Sequence, residues 1–289
     1  MITGSPLSRR CARELDAASV LSDPRVRDWQ HAGFSVKRIF LTCIATYEGD
    51  DHASQRWCRT AGYSPILNAT VGASDIAAAE FSRLRDRMVD VQLAGRGIAD
   101  PQVLKAMRTV PREMFVDHAL EEFAYEDGAL PIDVGQTISQ PYIVARMIEA
   151  AMLRHDSRVL EVGTGSGYAA AVLSRIAAKV YTIERHAALA EVARQRLAQL
   201  GYENVDVRTG DGTHGWPEQS SFDAIIVAAA GPTVPIALKQ QLATGGNLVL
   251  PIGDSYGSQT LCKIARLGDT EFERTDLDAV SFVPLVSDV

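Results

Sequence analysis

A glycine-rich turn between an apolar strand and a helix is the feature that most constrains the fold of this chain. Residues 159–167 read VLEVGTGSG, with Glu161 in the strand and Gly163, Gly165 and Gly167 in the turn. Glycine allows sharp turns and a close approach of ligand to backbone, and the first turn of a helix presents unpaired amides. We interpret this turn as a nucleotide-cofactor loop, although similar turns also occur for packing reasons alone.

The segments after the loop alternate between helices and apolar strands, and this alternation predicts an α/β fold. Helices are predicted over 168–177 and 187–200, and strands at KVYTIE, VDVRT, 222–230 and NLVLPIG. A helical stretch with Leu238 and Leu242 and a Gly245-Gly246 turn precede the last of these strands. The expected fold is Rossmann-like: a doubly wound, mostly parallel sheet with helices on both faces.

Two acidic residues stand at strand ends that such a sheet brings to a cofactor. Glu184 ends the second strand, where a carboxylate can accept hydrogen bonds from both ribose hydroxyls. Asp211, between Gly210 and Gly212, is placed to accept a hydrogen bond from an adenine amino group. Each also has a purely structural interpretation, as a solvated strand-end Glu and as an ordinary turn Asp.

The glycine spacing separates two classes of cofactor. Nicotinamide dehydrogenases carry G-x-G-x-x-G, whereas this loop follows G-x-G-x-G behind an acidic residue. That spacing resembles the loop of S-adenosylmethionine-dependent methyltransferases. The resemblance implies that Glu161 holds the methionine end indirectly, Glu184 the ribose and Asp211 the adenine. The remaining residues assigned to the cofactor are Gly163, Thr164, Gly165, Gly167 and Gly212.

Longer stretches resemble the protein-L-isoaspartate O-methyltransferase family. They include residues 97–116, 124–147 and 210–218, the glycine-rich loop, and a final FVPLV at 282–286. They follow the family's order and cover most of the chain after residue 78. The resemblance implies transfer of a methyl group from S-adenosylmethionine to the free α-carboxylate of isoaspartyl residues in damaged proteins and peptides.

The stretch GQTISQPY is assigned to the methyl acceptor. The resemblance places Ser139 at the acceptor carboxylate, and we assign Thr137, Ile138 and Tyr142 to substrate binding. Without the resemblance, Ser139 is better explained as the cap of a helix that opens near Pro141.

Composition limits the partners of the chain. A net charge of −7 argues against nucleic acid as the main partner. We recognise no signal peptide, and the apolar run at 39–47 is too short to span a bilayer. Cysteines at 11, 43, 58 and 262 show no C-x-x-C spacing, so no metal site is expected. We expect a cytoplasmic monomer that is not bound to membranes.

Residues 1–78 lie outside the resemblance, and we treat them as an N-terminal extension of unknown role before a methyltransferase domain at 79–289. A helix predicted over 75–93 opens that domain. Its apolar face is expected to carry Phe81, Leu84, Met88 and Val91.

Three other functions compete with isoaspartate methylation. A tailoring methyltransferase would esterify ordinary Asp side chains in a ribosomal peptide and use the extension for recognition. A non-catalytic cofactor-binding scaffold would not need Ser139, and a dehydrogenase is disfavoured by the glycine spacing. Methyl transfer to matched isoaspartyl and aspartyl peptides distinguishes among them.

Overall fold

The structure is a computed structural model that describes residues 73–254 and 258–287. A division of the chain into two units falls between Glu80 and Phe81. Because the described residues begin at Ala73, the extension predicted over residues 1–78 lies almost wholly outside them.

The first described helix, α1, changes its winding part of the way along. It is α-helical over Ala73–Arg87 and continues as a π-helix over Met88–Leu93. A π-helix bonds each residue to the fifth along the chain, so side chains after Arg87 rotate away from the α-helical pattern. Val89 is consequently buried while Val91 is 61% exposed, and the prediction that Val91 shares the apolar face is wrong.

Between α1 and the central sheet the chain forms short, mostly irregular elements. A small antiparallel hairpin lies in this region, and the helix that follows it packs against the sheet. In chain order these elements are α2 (Pro101–Thr109), 3₁₀ turns at Arg112–Phe115 and His118–Phe123, β1 (Leu130–Pro131), β2 (Thr137–Ile138) and α3 (Pro141–Ala151).

A seven-stranded sheet forms the centre of the fold. Its strands are β3 (Arg158–Val162), β4 (Lys179–Glu184), β5 (Val205–Thr209), β6 (Phe222–Val227), β7 (Leu242–Gly253), β8 (Gln259–Arg266) and β9 (Phe272–Val280). The order across the sheet is β5-β4-β3-β6-β7-β8-β9. Strands β3 to β7 run parallel, and β8 and β9 are antiparallel. The predicted mostly parallel, Rossmann-like sheet is confirmed, while β8 and β9 were not predicted.

Alternate residues of the inner strands pack on opposite faces of the sheet. In β3, Val159 belongs to an apolar cluster with residues of α2, α3 and α4 (Tyr168–Ser174), and Leu197 of α5 (Ala187–Gln199) joins it. Leu160 of β3 belongs to a second cluster with Leu238 of α6 (Ile236–Gln241). Helices thus cover both faces, as a doubly wound sheet requires.

The largest difference from the predicted elements lies at the start of β7. Leu242 was predicted to be helical, but it begins this strand and is fully buried opposite Phe222. The Gly245-Gly246 turn is instead an irregularity within β7, where the register with β6 shifts before Asn247. Gly245 has a φ of +83°, which glycine adopts readily.

Within the described ranges, no helix has the length and apolarity needed to cross a membrane.

Candidate active site

A cavity of about 700 Å³ opens at the carboxyl ends of β3, β4 and β6. Ligands of open α/β sheets bind at this edge, where loops after the strands converge. Most of the lining comes from three groups of residues: the cofactor loop with Glu184 and Gly212, the acceptor loop, and a segment near the C-terminus. The acceptor loop comprises residues 137–140, and the C-terminal segment comprises residues 279–286.

The three loop glycines all have positive φ angles, but they serve two purposes. Gly163 and Gly165 line the cavity with φ angles of +96° and +52°. Gly167, with a φ of +90°, is the N-cap of α4, and a Cβ there would contact Leu197 of α5. The backbone conformation favours glycine at all three positions, and two of them face the space that a ligand would fill.

The carboxylate of Glu184 is held against the cofactor loop. Its Oε2 accepts a hydrogen bond from the amide of Gly165 at 2.9 Å, and its Oε1 accepts one from the amide of His186 at 3.0 Å. The residue is only 6% exposed and lines the cavity. Each carboxylate oxygen can accept a further hydrogen bond, which binding of two ligand hydroxyls would require.

Glu161 lies beneath the loop and is fully buried. Its Oε2 accepts a hydrogen bond from Thr182 Oγ1 at 2.5 Å, and that hydroxyl lies 2.6 Å from Thr164 Oγ1. Among the described residues, Oε1 of Glu161 has no hydrogen-bond partner. Burial raises the pKa of Glu161 to about 8, and the nearby charge of Glu184 adds to that effect. Glu161 does not line the cavity itself, and Thr182 and Thr164 link it to the cavity wall.

Asp211 and Gly212 occupy different positions relative to the cavity. Gly212 lines it, and a side chain there would overlap Val162 of β3. Asp211 does not line the cavity, and its Oδ1 accepts hydrogen bonds from the amide and hydroxyl of Thr213 at 2.8 Å and 2.7 Å. Ser287 donates to its Oδ2 at 3.2 Å. Contact of Asp211 with adenine therefore stays a prediction.

On the acceptor side, the structure brings three of the four predicted residues to the cavity. Thr137, Ile138 and Ser139 line it. Tyr142 does not, and its ring lies under the guanidinium of Arg96, with the Arg96 Cζ 3.6 Å from the ring centroid. Helix α3 has Gln140 as its N-cap, without a side-chain cap hydrogen bond. The alternative that Ser139 caps this helix is therefore wrong.

Sequence reasoning missed Arg112, which holds the acceptor loop from behind. This fully buried side chain donates from Nε to the carbonyl of Ala124 at 2.7 Å and from Nη2 to the carbonyl of Ser139 at 2.9 Å. Burial lowers the pKa of Arg112. The signal available in the sequence was a lone arginine within the largely apolar run VPREMFV.

The role of the C-terminal segment was also missed, although FVPLV was noted in the sequence. Leu285 donates its amide to the carbonyl of Ala230 at 2.7 Å, and Arg185 donates to the carbonyl of Val286 at 2.9 Å. These bonds hold the segment along the cavity beside Glu184, so it forms part of the wall.

Comparison with known proteins identifies the family. The family model described as protein-L-isoaspartate(D-aspartate) O-methyltransferase matches residues 83–289. A Methylorubrum extorquens protein-L-isoaspartate O-methyltransferase is 60% identical over 205 residues, which cover 71% of this chain and 89% of that protein. Protein-L-isoaspartate O-methyltransferase 2 of Pelobacter propionicus is 58% identical over 202 residues, covering 70% and 90% of the two chains.

Solved structures agree with this assignment. A protein-L-isoaspartate O-methyltransferase structure superposes with a TM-score of 0.65 at 30% identity, covering 71% of this chain and 66% of that one. A Plasmodium falciparum protein described as a protein-L-isoaspartate O-methyltransferase, in complex with S-adenosyl-L-homocysteine, gives a TM-score of 0.60 at 26% identity. The match covers 70% of this chain and 98% of that one. The resemblance noted in the sequence is thereby confirmed, and the chain belongs to the protein-L-isoaspartate(D-aspartate) O-methyltransferase family.

Proposed function

We propose that the cavity joins two substrates, with Glu184 and the cofactor loop binding S-adenosylmethionine and Ser139 binding the methyl acceptor. The chain is an S-adenosylmethionine-dependent carboxyl O-methyltransferase that methylates the α-carboxylate of isoaspartyl residues in damaged proteins. One observation supports this division of roles above the others. Gly163, Gly165 and Glu184 line the same cavity as Thr137, Ile138 and Ser139.

The residues around the cavity fit S-adenosylmethionine as co-substrate. The volume of about 700 Å³ lies within the range of small-molecule sites. Glu184 offers oriented acceptors to ribose hydroxyls, and the loop at Gly163 and Gly165 lets a ligand approach the backbone. The buried carboxyl of Glu161 has one unpartnered oxygen within the described part of the chain. In this proposal Glu161 acts on the methionine end indirectly, through the hydroxyls of Thr182 and Thr164.

The chemistry requires alignment more than acid–base catalysis. S-adenosylmethionine supplies a methyl group activated by its sulfonium sulfur. The acceptor carboxylate is ionised at neutral pH, so no general base is needed. One carboxylate oxygen bonds to the methyl carbon as the carbon–sulfur bond breaks, and that bond's electron pair stays on sulfur. Holding the three atoms in line contributes on the order of 7–11 kcal/mol through proximity and orientation.

In this proposal Ser139 donates a hydrogen bond to the other carboxylate oxygen and so fixes its direction. The groove for the peptide would be formed by Thr137, Ile138 and the loop after β6, where Ala228 and Ala229 line the cavity. An ordinary aspartyl carboxylate leaves the backbone in a different direction. A misplacement of about 1 Å can cost on the order of a hundredfold in rate, so alignment alone can discriminate between the isomers.

Matched isoaspartyl and aspartyl peptides test the function. The enzyme should methylate the isoaspartyl peptide, release methanol as the ester closes to a succinimide, and accumulate some aspartyl peptide. Equal methylation of both peptides, or a stable side-chain ester, would support the tailoring enzyme instead. Cofactor binding without methyl transfer to either would support the non-catalytic scaffold.

A serine variant tests the acceptor role. Ser139→Ala should lower kcat by about ten- to a hundredfold, the loss of one hydrogen bond to a charged group, with cofactor affinity near wild type. Ser157→Ala is the matched control, because the buried Ser157 hydroxyl accepts a hydrogen bond from the amide of Arg154 at 3.0 Å. That variant should lose stability and keep its turnover. Equal turnover in Ser139→Ala and wild type would remove Ser139 from the site.

We further infer that residues 1–78 are dispensable for the chemistry, because the family model matches only residues 83–289. A chain shortened to begin at Gly72 should keep its kcat and its peptide KM. A folded but inactive product would assign the extension to substrate recognition. We also propose that the protein is a cytoplasmic monomer that does not bind membranes, and light scattering tests whether it is monomeric. The net charge of −7 supports the proposal that nucleic acid is not a partner.

A further inference from the structure

Arg112 is an unusual residue to find at the centre of a protein. Its guanidinium is fully buried, and within the described residues no carboxylate forms an ion pair with it. Removing an arginine from water is costly unless hydrogen bonds or other contacts compensate. Its Nε and Nη2 donate to the carbonyls of Ala124 and Ser139, at 2.7 Å and 2.9 Å, while Nη1 has no hydrogen-bond partner among the described residues. The bond to Ser139 fixes the backbone of the acceptor loop and leaves the side chain of Ser139 on the cavity wall.

A second arginine holds the cofactor loop in the same manner. Arg196 of α5 donates from Nη1 to the carbonyl of Ser166 at 2.8 Å. Ser166 lines the cavity between Gly165 and Gly167. Each loop of the site therefore has one backbone carbonyl bound by an arginine that approaches from outside the cavity.

Two aromatic rings connect these arginines. The guanidinium carbon of Arg112 lies 4.7 Å from the ring centroid of Tyr168, and that of Arg196 lies 5.9 Å from the ring centroid of Phe115. The two rings meet edge to face, with centroids 5.6 Å apart and an interplanar angle of 65°. Both rings are buried. The four residues form one contiguous unit, which we call the arginine–aromatic stack.

The stack spans the distance between the two loops. Arg112 and Phe115 belong to the same 3₁₀ turn, and Tyr168 is the first residue of α4, directly after the cofactor loop. Planar groups packed by cation–π and edge-to-face contacts have few alternative arrangements when buried. A shift of one loop carbonyl therefore disturbs the packing of the stack that joins the two loops.

We propose that Arg112 and Arg196 are positioning residues whose shared stack sets the separation between the acceptor loop and the cofactor loop. The inference rests on the proposed function, because it assigns Ser139 and the cofactor loop to the two substrates. In-line transfer depends on that separation, and about 1 Å of misplacement can cost on the order of a hundredfold in rate. Neither arginine contacts the reacting atoms in this scheme.

Conservative variants measure each half of the stack. Lysine retains the charge but cannot lie flat on a ring and donate to two carbonyls at once. Arg112→Lys should lower kcat for the isoaspartyl peptide by about tenfold, with the S-adenosylhomocysteine Kd within about twofold of wild type. Arg196→Lys should raise that Kd by about three- to tenfold. Calorimetry gives the Kd values, and thermal unfolding shows that each variant is folded.

Arg158→Lys is the matched control. Arg158 also donates to a carbonyl, that of Gln219 at 2.7 Å, and lies 5.1 Å from the ring centroid of Tyr181. It begins β3, at the end of the strand remote from the cavity. Its replacement should leave kcat, KM and Kd at wild-type values. A purely structural role for Arg112 would make the two variants alike.

The double variant tests whether the stack acts as one unit. Effects on kcat/KM should be smaller than the product of the two single effects, because residues that share partners are not independent. Multiplicative effects, or an Arg112→Lys enzyme with wild-type kcat and KM, would overturn the proposal. If Arg112→Lys does not fold, Phe115→Leu takes its place. The kcat/KM values of Phe115→Leu, Arg196→Lys and the double variant are then compared, and multiplicative effects again overturn the proposal.

Wild-type activity separates this inference from the proposed function. If wild-type enzyme does not methylate the isoaspartyl peptide, the proposed function has failed. If wild-type enzyme is active and the variants match it, the function stands and only the stack proposal is overturned.

Discussion

The two sides of the cavity are built in different ways. On the cofactor side, backbone bonds of the sheet fix the loops, as when Gly163 donates to the carbonyl of Ile183 at 2.8 Å and Ala228 to that of Val162 at 2.8 Å. On the acceptor side, two-residue strands form a small hairpin. Side chains hold the acceptor loop there, with Arg112 bound to the carbonyl of Ser139 and Gln140 to Asp127 at 2.7 Å.

This difference separates stability from activity. A backbone ladder is continuous with the core, so a change on the cofactor side should disturb the free energy of unfolding as well as the binding of the cofactor. The acceptor side depends on a few side chains that can be replaced without opening the sheet. Changes there should appear mainly in turnover.

The largest effect is expected from the cofactor-side carboxylate. Glu184→Ala should weaken S-adenosylhomocysteine binding by roughly 1.5–3 kcal/mol, the range for hydrogen bonds to a charged group. Calorimetry measures the change, and Glu203→Ala, at an exposed position after α5, is the control. An unchanged Kd would remove Glu184 from the site and weaken the distinction between the two sides.

A pair of glycine substitutions compares the two sides directly. Gly212→Ala places a Cβ against the stiff side chain of Val162, and overpacking of this kind costs about 1–3 kcal/mol of unfolding free energy. Gly128 also lines the cavity, and a Cβ there meets no heavy atom within 4 Å. Gly128→Ala should change stability by less than about 0.5 kcal/mol. If the two variants lose equal unfolding free energy in urea, the proposed difference between the cofactor side and the acceptor side is contradicted.

Per unit of pH, the smallest effect concerns the buried acid beneath the cofactor loop. Burial raises the pKa of Glu161 from 4.5 to about 8, so the folded state binds its proton more tightly than the unfolded state. The resulting stability is fully present below pH 4.5 and is lost as the pH rises towards 8. The slope is at most about 1.4 kcal/mol per pH unit.

Glu161→Gln removes this titration. Urea unfolding of the ligand-free protein between pH 5 and pH 8 should therefore show wild type losing stability relative to the variant as the pH rises. Glu203→Gln should follow the wild-type profile. Parallel profiles for wild type and Glu161→Gln would show that Glu161 keeps the same pKa in both states.

The difference between the cofactor side and the acceptor side also explains which site residues could be identified from the sequence. The cofactor loop and Glu184 are local features, since glycine spacing and a strand-end acid follow from residues adjacent in the chain. The role of Arg112 could not be read in this way, because its partners at 124 and 139 meet it only after folding. Val91 was misassigned because the π-helical turn changes the period on which the prediction relied. Ser139 was placed by family resemblance, where local physics favoured a cap.

The charged edges of the sheet affect how this enzyme interacts with other polypeptide chains. The outer strands, β5 and β9, expose charged side chains that include Asp206, Arg208, Glu273 and Arg274. Charged edges discourage another chain from adding a strand. We therefore expect the charged edges to keep exposed strands of the damaged proteins that it methylates from pairing with the sheet.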